Sequence, residues 1–361
     1  MTSAADRPGP GGPAEGGSVP NGSDEPRPGR SLEAPHRRVA GAPRILERSA
    51  VLAYRGTAWV VGHLPPRPAW TAIGWLFQAS YLLWPQKRRW SNLNFGHVLG
   101  LPADDPAVRK LALRAYRSYA RYLVEIMRLP SMTKEAAAAM LDPEGVEEVE
   151  RIWRGSNGVI FTACHVGNNE AISAGIGSRG WPLSGLADDS TFPELFEQLK
   201  RERERFGARV IPWRNLREVY GVLRRREMLA LLIDWGYRAD GVPVRLFGAW
   251  TTLPAGPATL AGKTGAVILP VVARRTADGR FLATIDTPIR VPSTRPPDIL
   301  RGTQAIAEAL ERVIAAAPDQ WYSFKPIWPE TAAEMDRLEA RAAVMAEDRE
   351  AERVAPEADS P

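Results

Sequence analysis

The chain of 361 residues has a single cysteine, Cys164, so no internal disulfide can form, which fits a reducing compartment. Its four histidines, His36, His63, His97 and His165, are scattered and show no paired spacing for a metal, so neither a metal nor another cofactor is expected. There is no internal repeat. No zinc-finger or RNA-binding motif is present, and no nucleic-acid partner is expected. The first residues are polar and proline-rich without an apolar core, so no secretory signal peptide is read there. Uninterrupted apolar stretches are also short. The longest aromatic-rich run, Ala69 to Trp84, has sixteen residues, below the roughly 20 that a helix needs to span a bilayer.

Tryptophan is plentiful. There are twelve, and five fall between Trp59 and Trp90. Trp70 and Trp84 bracket the apolar run, Pro85 stops it, and Lys87-Arg88-Arg89-Trp90 follows. Aromatic ends beside a basic cluster suit a segment lying in a membrane interface. A helical hairpin over Ile45–Trp84, turning at Pro65-Pro66, would carry it. Residues 1–43 are crowded with Pro, Gly, Ser and charge; they cannot bury enough surface to offset ordering entropy and read as a disordered tail. Residues 44–150 read as a helical, membrane-interacting region, with a long helix over Asp104–Leu129 and short ones near Thr133–Leu141 and Val146–Arg154. Residues 331–361 read as a polar C-terminal helix and tail.

Over 151–330 strands alternate with helices. The expected strands are Val159–Ala163, Leu183–Ala187, Arg209–Pro212, Met228–Ile233, Val242–Phe247, Ala266–Val272 and Phe281–Ile285. The helices between them are Asn169–Ser178, Pro193–Phe206, Asn215–Arg226 and Pro254–Thr264, and Pro297–Ala316 follows the last strand. This alternation predicts an α/β core whose central mixed sheet is flanked by helices.

Chemistry concentrates at Val159-Ile-Phe-Thr-Ala-Cys-His165-Val-Gly-Asn-Asn-Glu170. Five residues on a regular helix turn through about 500°, which would set His165 and Glu170 about 140° apart. They meet only if the chain turns between them, and Gly167-Asn168 supplies a turn with Asn168 as helix N-cap. His165 is then a candidate general base and Glu170 the acid that orients it. The free amides of the following first helical turn could receive an oxyanion or a phosphate. Cys164 as nucleophile is disfavoured, because adjacent strand side chains point to opposite faces. Asp234 ends an apolar strand, where α/β sites gather, and could position an acceptor or a basic partner. Between Lys200 and Arg226, ten Lys or Arg face three Glu, which suggests contact with an anionic substrate. Gly175-Ile-Gly177-Ser-Arg-Gly180 matches a dinucleotide-binding pattern but follows a helix, so it reads as a chance match and a helix terminator.

His165-Val-Gly-Asn-Asn-Glu170 resembles the His-x-Gly-Asn-Trp-[Glu/Asp] motif of bacterial lipid A acyltransferases and phosphatidylinositol mannoside acyltransferases, one branch of the lysophospholipid acyltransferase superfamily. The block from Leu231 through Asp234 to Gly248, its continuation over Thr252–Ala266, and the closing Pro318–Trp328 segment resemble the same family in order and spacing. The likeness covers about 155–330. Asn169 stands where the family has Trp. The resemblance implies direct transfer of an acyl chain from acyl-CoA or acyl-carrier protein to a hydroxyl of a glycolipid or lysolipid, at the cytoplasmic face of a membrane. It makes His165 the base and Glu170 its partner. The family's arginine maps to either Arg203 or Arg205. The Arg-, Ala-, Gly- and Pro-rich composition leans toward a phosphatidylinositol mannoside-like acceptor over a lipid A-like one. The rivals are a lysophosphatidic acid-type acyltransferase, whose family usually has His-x4-Asp without Gly-Asn, and a non-catalytic lipid-binding protein, which would need a broken base–acid pair.

Overall fold

The computed structural model describes residues 44–141, 146–187 and 193–347. The expected tail over 1–43 lies outside the described residues. Helices α1 (Arg44–His63) and α2 (Pro66–Leu83) form the expected hairpin at Pro65-Pro66. A third helix, α3 (Pro85–Leu99), follows at once. Pro85 ends the apolar run but does not stop the helices: it occupies the first turn of α3, where its missing N–H costs nothing. Helix α4 (Pro106–Arg128) starts on an Asp105 side-chain cap, and α1, α2 and α3 all pack against it. Short helices α5 (Lys134–Ala139) and α6 (Val146–Arg154) lead to the sheet.

The core then runs β1 (Val159–Ala163), α7 (Asn169–Ser178), β2 (Leu183–Ala187), α8 (Pro193–Glu204), β3 (Arg209–Pro212), α9 (Leu216–Arg224) and β4 (Met228–Leu232). Next come β5 (Val242–Leu246), β6 (Ala249–Leu253), α10 (Gly256–Thr264), β7 (Val267–Arg275) and β8 (Phe281–Ile285), before α11 (Pro296–Ala316) and α12 (Ala332–Ala346). Six strands form one sheet in the order β3-β2-β4-β1-β7-β8, parallel except for the β7–β8 edge. The sheet is therefore mixed, as expected. β1 is buried along its whole length, which is why it reads as an apolar run with no alternation. Ile160, Leu229 and Ile268 face α9, α10 and α11 on one side. Val159, Phe161, Met228 and Leu269 face α6 and α7 on the other.

β6 was not anticipated. It pairs with β5 in a separate antiparallel hairpin, whose two-residue turn puts both Phe247 (φ 48°) and Gly248 (φ 74°) in the left-handed region. Hairpin turns of this kind favour Asn-Gly or Asp-Gly, and Phe-Gly carries no such signal. Gly177, in the glycine pattern of α7, sits against the backbone of Phe206 and Ala208; an added Cβ would lie 2.5 Å from the Phe206 carbonyl oxygen. Gly175 and Gly177 thus serve close packing within a helix.

Candidate active site

His165 and Asp234 emerge from neighbouring parallel strands. β1 pairs with β4 in the register Ala163↔Leu232, so residues two positions beyond each end stand side by side. His165 Nδ1 lies 2.6 Å from Asp234 Oδ1, and the His165 backbone N–H donates to Asp234 Oδ2 at 2.9 Å. The indole N–H of Trp321 donates to the same Oδ2 at 2.9 Å. Because a carboxylate only accepts, Nδ1 carries the proton and Nε2 is the basic nitrogen. The Asp234 side chain is 4 % exposed and that of His165 is 28 % exposed, so the acid is sealed while the base reaches solvent. Burial alone would lower the His165 pKa; the charge and hydrogen bond of Asp234 outweigh it and hold the pKa above the ordinary imidazole value. Burial pushes Asp234 upward, but the His165 charge, the His165 ring and backbone N–H groups and the Trp321 indole hold its carboxyl below the usual range.

This geometry corrects the expectation for Glu170. The partner of the imidazole is Asp234, and Glu170 instead takes a bidentate pair from Arg203, Nε to Oε2 at 2.8 Å and Nη2 to Oε1 at 2.6 Å. The reason is topological: Glu170 lies on the first turn of α7 beside α8, which brings Arg203. Of the two candidate arginines Arg203 is the one that meets Glu170, whereas Arg205 turns away to the backbone carbonyls of Pro130 and Met132. Burial would lower the Arg203 pKa, and the Glu170 charge and hydrogen bonds raise it, so the guanidinium stays charged. Glu170 still acts on the base through space, adding to the raised pKa of His165.

The loop carrying His165 is fixed from several sides. Val166 N–H bonds to the Cys164 carbonyl at 2.8 Å, making a tight turn centred on His165. The closing segment clamps it: Tyr322 N–H donates to the His165 carbonyl and Gly167 N–H to the Gln320 carbonyl. Gly167 has φ +66°, and a Cβ there would sit 1.4 Å from the Ala273 carbonyl oxygen, so only glycine fits. Asn168 caps α7 by accepting from Ala171 N–H at 3.0 Å, as expected. That amide is thereby occupied, which weakens the anticipated anion site at the helix start. Asn169, the departure from the family pattern, ties its amide to the Cys164 carbonyl at 2.9 Å. Cys164 itself is buried, and burial followed by the Asp234 charge raises its thiol pKa well above normal, which suits a packing role and not a nucleophile.

One supporting group escaped the sequence reading. Asn168 also donates to Glu125 Oε2 at 3.1 Å, and Glu125 receives Arg275 at 2.8 and 2.6 Å and Arg121 at 3.0 Å. The Glu125 and Arg275 side chains are 10 % and 5 % exposed. Leaving either charge alone at such depth costs roughly 3–5 kcal/mol, so both are held in place beneath the loop. The signal was there: Glu125 interrupts the apolar face of α4, three positions after Tyr122 and four before Leu129.

Of the basic stretch from Lys200 to Arg226, Arg203 is at the site and the end of the stretch is not. Arg224, Arg225 and Arg226 precede the start of β4, whereas His165 and Asp234 follow the ends of β1 and β4, so they lie at opposite edges of the sheet. Arg209 and Arg225 are paired with Glu218 and Glu227 there. Arg224, Arg225 and Arg226 therefore do not stand next to His165. Among the described residues no group of three or more His, Cys, Asp and Glu could hold a metal ion.

A buried acid, an imidazole turned to solvent and a rigid loop form a device for removing a proton from a hydroxyl. Comparison with known proteins gives the chemistry. The chain is 30% identical over 247 residues to a phosphatidylinositol mannoside acyltransferase of Mycolicibacterium smegmatis, covering 65% of this chain and 77% of that protein. It is 28% identical over 258 residues to a phosphatidylinositol mannoside acyltransferase of Mycobacterium tuberculosis, covering 69% of this chain and 79% of that one. The model of the bacterial lipid A biosynthesis acyltransferase family matches residues 42–330, and the chain belongs to that family and is an acyltransferase.

Proposed function

We propose that the chain moves a fatty acyl chain from a thioester, acyl-CoA or acyl-carrier protein, to a hydroxyl of a phosphatidylinositol mannoside-like glycolipid at the cytoplasmic face of a membrane. The observation that carries the reaction is the His165–Asp234 pair with Nε2 directed away from its acid. Nε2 takes the proton of the acceptor hydroxyl, and the oxygen attacks the thioester carbonyl. The tetrahedral oxyanion collapses and expels a thiolate, which recovers the proton from the imidazolium. No acyl-enzyme forms on Cys164. Arg203, braced by Glu170, supplies positive charge beside the reacting groups. The names of the mycobacterial relatives favour the mannoside acceptor, while the family description keeps a lipid A-like acceptor as the second reading.

Incubation of the purified protein with palmitoyl-CoA and a phosphatidylinositol mannoside should give a product heavier by one acyl chain in mass spectrometry. Acylation of lysophosphatidic acid in its place would move the reading to the glycerophospholipid branch. Binding of the mannoside with no transfer from either donor would favour a lipid-binding role.

Membrane contact is supported by α1 and α2. Their inner faces meet α4 through Val61, Ala69 and Val124. Their outer faces expose Leu52, Trp59 and Val60 on α1, and Trp75, Leu76 and Leu83 on α2. These positions recur at helical spacing, so each helix presents an outward apolar stripe. Among the described residues no helix is long and apolar enough to cross a membrane. The stripes therefore suit a hairpin lying in the interface. Leu76 is 67 % exposed and Leu83 82 %. Burying such side chains contributes roughly 1.5–3 kcal/mol each, so replacing both with serine should weaken liposome partitioning about tenfold or more. Equal flotation of wild type and L76S/L83S would remove this face from the reading.

The basic cluster next to this face has other work. Arg88 donates to the Leu82 carbonyl at 2.9 Å and Arg89 pairs with Glu330 at 3.0 Å. Among the described residues Arg89 alone of the three pairs with a carboxylate.

A further inference from the structure

A cleft of about 500 Å³ opens at Trp235, whose ring meets the base. Its walls include Trp90, Trp235 and Trp328, and two lysines, Lys87 and Lys325, border it. Trp235 directly follows Asp234 and joins the cleft to the site. Its ring stands edge-on to the His165 imidazole at 5.9 Å, and the Lys325 ammonium lies over the same ring at 4.1 Å. Lys87 lies over Trp90 at 4.9 Å.

The two lysines are brought together by construction. Lys87 and Asn94 are seven residues apart on α3, hence on one face. Asn94 is fully buried and binds the backbone of the segment that bears Lys325. Its amide donates to the Ser323 and Lys325 carbonyls at 3.1 and 2.7 Å, and its oxygen accepts from Ile327 N–H at 3.2 Å. His97, one turn farther along α3, stacks on Trp328 at 4.2 Å. One helix face thus carries the first lysine and anchors the second.

Neither ammonium has a carboxylate within ion-pair distance among the described residues. Two carboxylates do line the cleft, and each is engaged elsewhere: Glu330 with Arg89, and Glu334 with the Thr331 hydroxyl at 2.8 Å. Burial, and then the charge of Lys87, lower the Lys325 pKa, so two like charges are held near one another with no ion-paired carboxylate among the described residues. An arrangement of this kind is stabilised by an anion. Aromatic walls beside the cations suit a flat or sugar-like group attached to that anion.

We infer that Lys87 and Lys325 form a subsite for a phosphate ester of one of the two substrates, placing the group that carries it in the Trp-walled cleft next to His165. The inference rests on the acyl-transfer reading for the identity of the substrates. Two sources share this chemistry: the phosphodiester of the acceptor lipid and the phosphates of a CoA donor.

The test is steady-state kinetics of K87Q, K325Q and the double variant at a pH where His165 is neutral, each substrate varied in turn. Charge-assisted hydrogen bonds to phosphate are strong, so the double variant should raise KM for one substrate by roughly tenfold to a hundredfold, with a smaller change in kcat. Arginine at both positions should restore most of it. A donor source predicts that the defect disappears with a phosphate-free acyl thioester. An acceptor source predicts that it persists with that donor and disappears with a phosphate-free mannoside acceptor. Unchanged KM for both substrates overturns the subsite. Calorimetric binding of CoA, and of phosphatidylinositol in mixed micelles, supplies a judgement independent of turnover. At least a tenfold weaker Kd for one of them in the double variant supports the subsite. Equal affinities, or no binding of either by wild type, overturn it. A wild-type protein that binds but does not transfer would sink the acyl-transfer reading and leave the subsite standing.

Discussion

Replacing His165 with alanine is expected to lower acyl transfer on the order of 10²- to 10⁴-fold while the protein stays folded. The loss follows from the geometry. Nε2 is the basic nitrogen that reaches solvent, and the Cys164 thiol cannot substitute because it is buried and its pKa is raised. The fold should survive. The backbone of residue 165 keeps its bonds to Asp234 and Tyr322, and Asp234 keeps the Trp321 indole. Turnover should be measured beside a thermal melt, with Cys164→Ala as the companion variant. Cys164 contributes packing in the core, so its alanine variant should keep activity within several-fold. Near wild-type turnover in a folded H165A protein would end the general-base assignment. A C164A loss as deep as that of H165A would bring back an acyl-enzyme.

How much of this was legible beforehand depends on range along the chain. Val159–Ala163 and Met228–Leu232 were readable because central parallel strands are buried on both faces and become unbroken apolar runs. Asn168 was readable because capping is local, and its oxygen reaches an amide three residues away. Two local signals misled. Pro85 starts a helix as readily as it stops one, and Phe247-Gly248 turns a hairpin without the residues that usually advertise it. The partner of His165 was misassigned for a different reason. Glu170 is five residues away in sequence, whereas Asp234 is sixty-nine away and becomes a neighbour only through the β1–β4 register. Single-chain patterns do not reveal which strands lie side by side. The same holds for Glu125 with Arg275 and for Lys87 with Lys325, whose partners come from distant segments. What remained visible was chemical type: a base at the end of a buried strand, an acid at the end of another, and a tryptophan-rich closing segment whose Trp321 completes the pair.

Asp234→Asn should be nearly as damaging as loss of the base, although it changes one atom. Oδ2 accepts two donors whose identity is fixed, the His165 backbone N–H and the Trp321 indole N–H, both at 2.9 Å. An asparagine must place its oxygen there to satisfy them, which turns its amide nitrogen toward His165 Nδ1. That nitrogen donates, so Nδ1 must accept, and the proton moves to Nε2. The imidazole is then in the tautomer that cannot take a proton from the acceptor, and turnover should fall on the order of 10²- to 10⁴-fold. The pH dependence separates this role from that of Glu170. In wild type the Asp234 charge holds the His165 pKa above the ordinary imidazole value, against burial. Since the neutral form is the base, kcat/KM should rise as pH increases through that raised value. Removing the carboxylate leaves burial opposed by the weaker Glu170 charge, so the residual activity of D234N should rise at lower pH than in wild type. The same linkage gives the stability signs. The His165 contribution is present below its unfolded pKa and lost as pH rises through the raised folded value. The Asp234 contribution is present above its unfolded pKa and lost as pH falls through its depressed one. E170Q, by contrast, loosens Arg203 and should lower turnover while moving the rising limb only slightly, because Asp234 remains. A limb displaced further by E170Q than by D234N would return Glu170 to the role of orienting acid and Asp234 to a packing role.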